Sequence, residues 1–186
     1  LHIISVGRCH WIKGYTFALD AMVLLKAKNV KFNYTIIASG RDCENIYYQI
    51  HDLDLHECVT FINGLPHEEA INKLSESDLF LLPSLEEGIS NTVLEAMALD
   101  VPVISTDCGG MSEVIKNGEN GFLLPVRDPA SIVKTIQDFI DLDDVQQMTI
   151  INNARNTIIN NHLLSYQIQQ FKLLYKESYD NYCINE

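Results

Sequence analysis

The sequence predicts an α/β protein built on a doubly wound parallel sheet of about six strands, with helices on both faces. Two observations predict this fold. Short apolar runs alternate with amphipathic segments of helix length as far as residue 124, and from there the pattern is helical only. Most of the runs are uninterrupted rather than alternating, which is typical of parallel strands covered on both faces. A repeated strand–helix order of this kind requires right-handed crossovers.

Each element follows from a run of one of these two kinds. The predicted strands are His2–Val6, Phe32–Ala38, Cys58–Ile62, Leu79–Leu82, Val101–Ser105 and Gly121–Leu124. The helices predicted between them are Tyr15–Lys28, Glu44–Leu53, His67–Ser75, Asn91–Leu99 and Ser112–Lys116. The C-terminal helices are predicted at Pro129–Ile140, Asp144–Asn160 and Ser165–Tyr182.

The length of 186 residues fits one domain, with a βα part over residues 1–125 and a helical part over 126–186. The chain starts without Met, inside a predicted strand, so we expect it to be a piece of a longer protein. The last predicted helix carries an apolar stripe that either packs on the core of this domain or covers a second one. The stripe consists of Leu164, Ile168, Phe171, Leu174, Tyr175 and Tyr182.

The composition argues against several classes of site. A net charge of −12 disfavours nucleic-acid binding, which requires clustered positive charge. The five cysteines form no CxxC pair, so reduced thiols are the simpler expectation. The histidines show no metal-ligand spacing, which argues against a structural zinc site.

The loop after the first predicted strand carries two cations. It covers residues 7–14 and fits neither a dinucleotide fingerprint nor a Walker A loop. Arg8 and Lys13 nevertheless flank this short stretch, and a guanidinium with an ammonium suits a diphosphate. The alternative is an ordinary solvated basic pair.

The loop after the fourth strand leads into a helix that starts near Ser90 or Asn91. Free amides in the first turn of that helix, at Asn91, Thr92 and Val93, predict an anion site. Glu87 and Glu95 lie beside it, where a carboxylate suits the hydroxyls of a sugar. The alternatives are a capping acid and a solvated helix acid.

Two further stretches have both a functional and a purely structural interpretation. Gly109 and Gly110, after the fifth strand, permit a close backbone approach or form a plain turn. Asp52 and Asp54 form a DxD triplet, which we assign to a solvated helix end rather than to a metal site.

Together these stretches resemble the C-terminal, donor-binding domain of GT-B retaining glycosyltransferases, most closely glycosyltransferase family 4, the group 1 transferases. The resemblance covers about two thirds of the chain, in the order of the family. Asp100 stands where the family usually has Gly, and it can still take the left-handed conformation at modest cost. The matching stretches are residues 6–14, 61–64, 78–84, 87–98, 101–106, 109–113 and 118–123.

The resemblance implies a Rossmann-like fold that is one half of a GT-B enzyme, and it implies roles for single residues. Arg8 and Lys13 would bind the diphosphate of a UDP- or GDP-type sugar, and Glu87 would contact the transferred sugar. These three form the expected catalytic set, and Glu95 would bind the ribose. The other expected donor contacts are Gly7, Gly40, Arg41, Asn63, Gly64, Leu65, Gly88, Ile89, Ser90, Asn91, Thr92 and Val93.

The resemblance also implies the reaction and its surroundings. It implies metal-independent sugar transfer from a nucleotide sugar to a glycan or lipid-linked acceptor, with front-face attack and no cofactor. The acceptor domain would be the missing N-terminal half. It implies a cytoplasmic enzyme of polysaccharide biosynthesis, with membrane contact made through that missing half. The alternatives are a sugar-nucleotide epimerase and a catalytically degenerate nucleotide-binding scaffold.

Overall fold

The computed structural model describes residues 1–40 and 43–184, without the side chains of residues 167, 177, 178 and 180–184. The strands are β1 (His2–Arg8), β2 (Asn33–Ser39), β3 (Val59–Asn63), β4 (Leu79–Leu82), β5 (Val103–Thr106) and β6 (Phe122–Leu124). The first helices are α1 (Tyr15–Ala27), α2 (Cys43–Asp52), α3 (His67–Ser75), α4 (Asn91–Ala98) and α5 (Met111–Val114). The C-terminal helices are α6 (Pro129–Ile140), α7 (Asp144–Asn161) and α8 (Leu164–Ile184).

All six strands form one sheet in the order β3-β2-β1-β4-β5-β6, and every pairing is parallel. The predicted α/β fold is therefore confirmed. One boundary is wrong in a way that matters for the site. Gly7 and Arg8 were expected in a loop, but they end β1, because its pairing with β2 continues to Arg8 and Ser39.

The sheet separates two buried apolar clusters, and successive strand residues alternate between them. Ile3 belongs to the cluster beneath α1, α2 and α6, whereas Ile4 belongs to the cluster beneath α3, α4, α5 and α7. Leu81 and Phe80 alternate in the same way. Side chains along a strand point to opposite faces, so a strand buried on both faces must be apolar throughout.

The apolar stripe of α8 does not pack on either cluster. Leu164 is 72% exposed, Phe171 is 60% exposed and Tyr175 is 73% exposed. Ile168 and Leu174 are exposed as well, while the side chain of Tyr182 lies outside the described part. Packing of this stripe on the core of the same domain, one of the two alternatives, is therefore wrong. Within the described residues, no helix is both long and apolar enough to cross a bilayer.

Two turn residues show how the elements end. Asp100 follows α4 with φ +62°, so it takes the left-handed conformation that the sequence left open to it. Its carboxylate accepts a hydrogen bond from Arg155 of α7 at 2.6 Å. The turn after α4 is thus stabilised by a helix that lies far along the chain.

The expectation of reduced thiols is wrong for one pair. Cys9 and Cys43 form a disulfide, with their Cα atoms 5.3 Å apart. Parallel pairing brings the carboxyl ends of β1 and β2 together, and the Cys9 amide donates to the Ser39 carbonyl at 2.7 Å. This proximity depends on strand pairing. The two cysteines do not form a CxxC motif, so their spacing in the sequence does not indicate a disulfide.

Replacing both bonded cysteines, Cys9→Ser with Cys43→Ser, is expected to lower the free energy of unfolding by about 2–4 kcal/mol. The crosslink closes a loop of 34 residues and restricts the unfolded chain. Urea unfolding measures the loss, with Cys58→Ser as the control for removing a free thiol. Equal stability of wild type and double variant, with no linked peptides after non-reducing digestion, would contradict the bond.

Candidate donor-binding site

Three loops meet at the carboxyl ends of β1, β4 and β5. The loop after β4 is held against the loop after β1 by a hydrogen bond from the Leu85 amide to the Ile12 carbonyl, at 2.7 Å. On its other side, the Thr106 hydroxyl donates to the Ser84 carbonyl at 2.5 Å. The Gly110 amide donates to the Gly88 carbonyl at 3.1 Å. The loop after β4 is therefore fixed from both neighbours, and its position depends on all three strands.

Lys13 and Glu87 form an ion pair at the centre of this junction. The ammonium contacts the Oε1 atom of Glu87, and the two side chains are only 13% and 14% exposed. Lys13 ends a short 3₁₀ turn, Trp11–Lys13, that follows β1. Two residues that lie 74 positions apart in the sequence thus share one site. The pair is neutral overall, so an anion that binds Lys13 must compete with the carboxylate.

Two hydroxyls surround the ion pair. Ser84 donates a hydrogen bond to Glu87 Oε1 at 2.8 Å. The Tyr15 hydroxyl lies close to Gly7, where an added Cβ atom would be 2.8 Å from it. Burial, with smaller contributions from Tyr34 and the Glu87 carboxylate, raises the pKa of Tyr15 well above its usual range. The phenol therefore remains protonated and can donate a hydrogen bond.

The N-terminus of α4 faces the same region, with one correction to the expected donors. Ser90 is the N-cap residue by position, but its side chain makes no capping hydrogen bond. The Val93 amide donates to the Ser90 carbonyl at 3.1 Å, so the prediction of a free amide there is wrong. Its side chain is also fully buried. Among the described residues, the amides of Asn91 and Thr92 have no acceptor, and they are the donors left at this helix end.

Glu95 lies in α4 away from the ion pair and faces the start of α3. Its Oε1 atom is 3.8 Å from His67 Nε2, and its side chain is 34% exposed. Glu87 and Glu95 therefore do not touch a common group. Glu87 contacts Lys13, whereas Glu95 faces His67 at the start of α3.

Apart from Arg41, the remaining predicted residues lie near the carboxyl ends of β2 and β3 and in the loop before α4. Gly40 follows β2, Asn63 ends β3, and both are exposed. The Gly64 amide donates to the Ala38 carbonyl at 3.0 Å, which joins the ends of these two strands, and Leu65 is half-buried beside them. Gly88 and Ile89 are exposed on the loop before α4. Arg41 lies outside the described residues.

Arg8 is at the edge but not in the ion pair. Its side chain is exposed, and it makes no salt bridge with any residue in the described part of the chain. The DxD triplet lies elsewhere: Asp52 ends α2, and Asp54 pairs with Lys26 at 3.1 Å. The assignment of this triplet to a solvated helix end is confirmed.

Sequence reasoning missed three residues of the site. Ser84 was quoted within a matching stretch without a role, Tyr15 was included only in a predicted helix, and His67 carried no signal. The one signal for Tyr15 was its position two residues after Lys13, but the sequence does not show that the phenol is buried. Nothing in the sequence indicates that Ser84 contacts Glu87.

Comparisons with known proteins identify the family of this chain. The family model "Glycosyl transferases group 1" matches residues 1–157. An amylovoran biosynthesis glycosyltransferase, AmsK of Erwinia amylovora, is 33% identical over an alignment of 178 positions, and the match covers 91% of this chain and 44% of that protein. The chain therefore spans less than half the length of this relative.

Solved structures agree in fold. The C-terminal domain of a group 1 glycosyl transferase, LpcC from Francisella tularensis, superposes with a TM-score of 0.77 at 23% identity, over 88% of this chain and 87% of that one. Anabaena HepE in complex with UDP gives 0.81 at 21% identity, over 94% of this chain and 48% of that one. With a family model that matches most of its length and a relative at 33% identity, the chain belongs to the group 1 glycosyltransferases.

Proposed function

We propose that this chain is the donor-binding part of a retaining glycosyltransferase, which transfers a sugar from a nucleoside-diphosphate sugar to a glycan or lipid-linked acceptor. The observation that carries the proposal is the largely buried Lys13–Glu87 ion pair, together with the amides of Asn91 and Thr92, which have no acceptor among the described residues. A cation and free amides suit a diphosphate, and a carboxylate suits sugar hydroxyls. The acceptor domain would lie in the part of the protein that precedes this chain.

The names of similar proteins support this class of substrate. AmsK is a glycosyltransferase of amylovoran biosynthesis, and WcaL of Escherichia coli, 31% identical over 164 residues, is putatively one of colanic acid biosynthesis. HepE was crystallised with UDP. These names favour a UDP-type donor and a polysaccharide product for this protein.

The proposed chemistry follows from where charge develops. As the glycosidic bond breaks, negative charge grows on the diphosphate oxygens of the leaving group. Lys13, Arg8 and the amides of Asn91 and Thr92 would stabilise that charge, so the proposal assigns no step to a metal ion. Glu87 would orient the sugar and stabilise its oxocarbenium character. The acceptor oxygen would attack from the face that the diphosphate leaves, and its proton would pass to an oxygen of the leaving phosphate.

A calorimetric panel on the purified chain tests the donor assignment. We expect UDP or GDP to bind, the matching nucleoside to bind at least about tenfold more weakly, and a diphosphate sugar to bind more tightly than its diphosphate. Adding EDTA is expected to leave these affinities unchanged. Affinity that depends on the base alone, or that is lost with EDTA, would contradict the proposed diphosphate site.

A further inference from the structure

Ser84 holds Glu87 by one specific oxygen. The side chain of Ser84 is fully buried, and its Oγ donates to Glu87 Oε1 at 2.8 Å. The Lys13 ammonium contacts the same Oε1 atom. Within the described part of the chain, Oε2 receives no hydrogen bond. One carboxylate oxygen thus has two partners, and the other is available to a ligand.

The backbone around Ser84 leaves its hydroxyl little freedom. The Ser84 carbonyl accepts from Thr106 at 2.5 Å, and the next residue, Leu85, donates from its amide to Ile12 at 2.7 Å. On the other side, the Pro83 carbonyl lies so close to Gly14 that an added Cβ atom would be 2.0 Å from it. The backbone on both sides of Ser84 is therefore held by the loop after β1 and by Thr106 of β5.

The two partners of Oε1 differ in what happens when a donor binds. A diphosphate carries charge that attracts the Lys13 ammonium and weakens its pairing with Glu87. Ser84 is a neutral, buried donor that the diphosphate does not attract in this way. It is the contact that can keep the carboxylate in place while Lys13 turns to the phosphate.

From these contacts we propose that Ser84 is a positioning residue, which fixes Glu87 through Oε1 so that Oε2 faces the transferred sugar. The inference rests on the proposed donor-binding function and deepens it. It separates two tasks at one edge: Lys13 serves the diphosphate, and Ser84 with Glu87 serves the sugar. It predicts that loss of the Ser84 hydroxyl affects recognition of the sugar and spares recognition of the nucleotide.

The test compares UDP with UDP-glucose by calorimetry, or the corresponding pair if another nucleotide binds better in the panel. The sugar gain is the ratio of the affinity for UDP-glucose to the affinity for UDP. In Ser84→Ala, we expect the affinity for the diphosphate to stay within about twofold of wild type and the sugar gain to fall by about tenfold. Glu87→Ala should remove the gain altogether. Ser77→Ala is the matched control, because this buried hydroxyl donates to the Leu74 carbonyl at the opposite end of the sheet.

Each outcome decides the matter. A reduced sugar gain in Ser84→Ala with an unchanged gain in Ser77→Ala supports the positioning role. An unchanged gain in Ser84→Ala, or an equal loss for both ligands, overturns the role while the proposed function stands. A wild-type chain that binds the diphosphate and its sugar equally overturns the role together with the sugar site of the proposed function.

Discussion

Lys13→Ala is expected to weaken binding of a nucleoside diphosphate by about a hundredfold, which corresponds to ~2.8 kcal/mol. Two effects act in the same direction. The substitution removes the cation that meets the phosphate, and it leaves the nearly buried Glu87 carboxylate without its partner. An unpaired carboxylate at this place repels the incoming anion, so the loss exceeds that of one contact.

Isothermal titration calorimetry measures the effect, with Lys134→Ala as the control. Lys134 pairs with Asp138 on the exposed face of α6, so this control changes the net charge equally without touching the site. Adding Glu87→Ala to Lys13→Ala is expected to recover about tenfold of the diphosphate affinity, because the repulsion disappears. Adding Arg8→Ala instead should weaken binding further. If Lys13→Ala bound the diphosphate with wild-type affinity, the assignment of the diphosphate to this site would be wrong.

Gly109→Ala is expected to lower the free energy of unfolding by at least ~3 kcal/mol. Gly109 has φ +56°, and an added Cβ atom would lie 1.5 Å from the Glu87 carbonyl oxygen. The overlap is with backbone rather than with a flexible side chain, so one of the two loops must move. Movement of the Glu87 loop would also weaken binding of a diphosphate sugar.

Gly118→Ala separates the steric effect from the cost of backbone conformation. Gly118 has φ +79°, yet an added Cβ atom there meets nothing within 4 Å. Gly118→Ala is expected to lower the free energy of unfolding by about 1–2 kcal/mol, which is the cost of placing alanine in the left-handed conformation. Chemical denaturation compares the two variants, and equal losses would show that the loops after β4 and β5 are not packed as described.

Much of the fold could be predicted because local sequence patterns determine where many of its strands and helices lie. β4, α3 and α6 begin and end where the sequence predicts. Pro66 and Pro129 mark the starts of the two helices, and the four residues of β4 are all buried. The ends of the other elements shift by one or two residues, since pairing and the last helical turn depend on neighbours.

The sequence predicted which side chains lie near one another at the carboxyl ends of the strands better than it predicted their contacts. Lys13 and Glu87 were both expected to bind a donor, but their pairing was not expected. Ser84 was included in a matching stretch. Its hydrogen bond to Glu87 could not be predicted, because a separation of three residues in a loop does not determine whether two side chains meet. The amide of Val93 was expected to be free, and the first turn of α4 uses it internally.

The sequence by itself determined the α/β class, the alternation of strands and helices, and the family, because apolar periodicity and ordered motifs are properties of the linear chain. Only the tertiary structure decided that Lys13 meets Glu87, that Cys9 meets Cys43, and that the apolar stripe of α8 stays exposed. The physical reason is the strand order. β1 lies between β2 and β4, so residues 34 and 74 positions apart meet at one edge, and no local pattern records that adjacency.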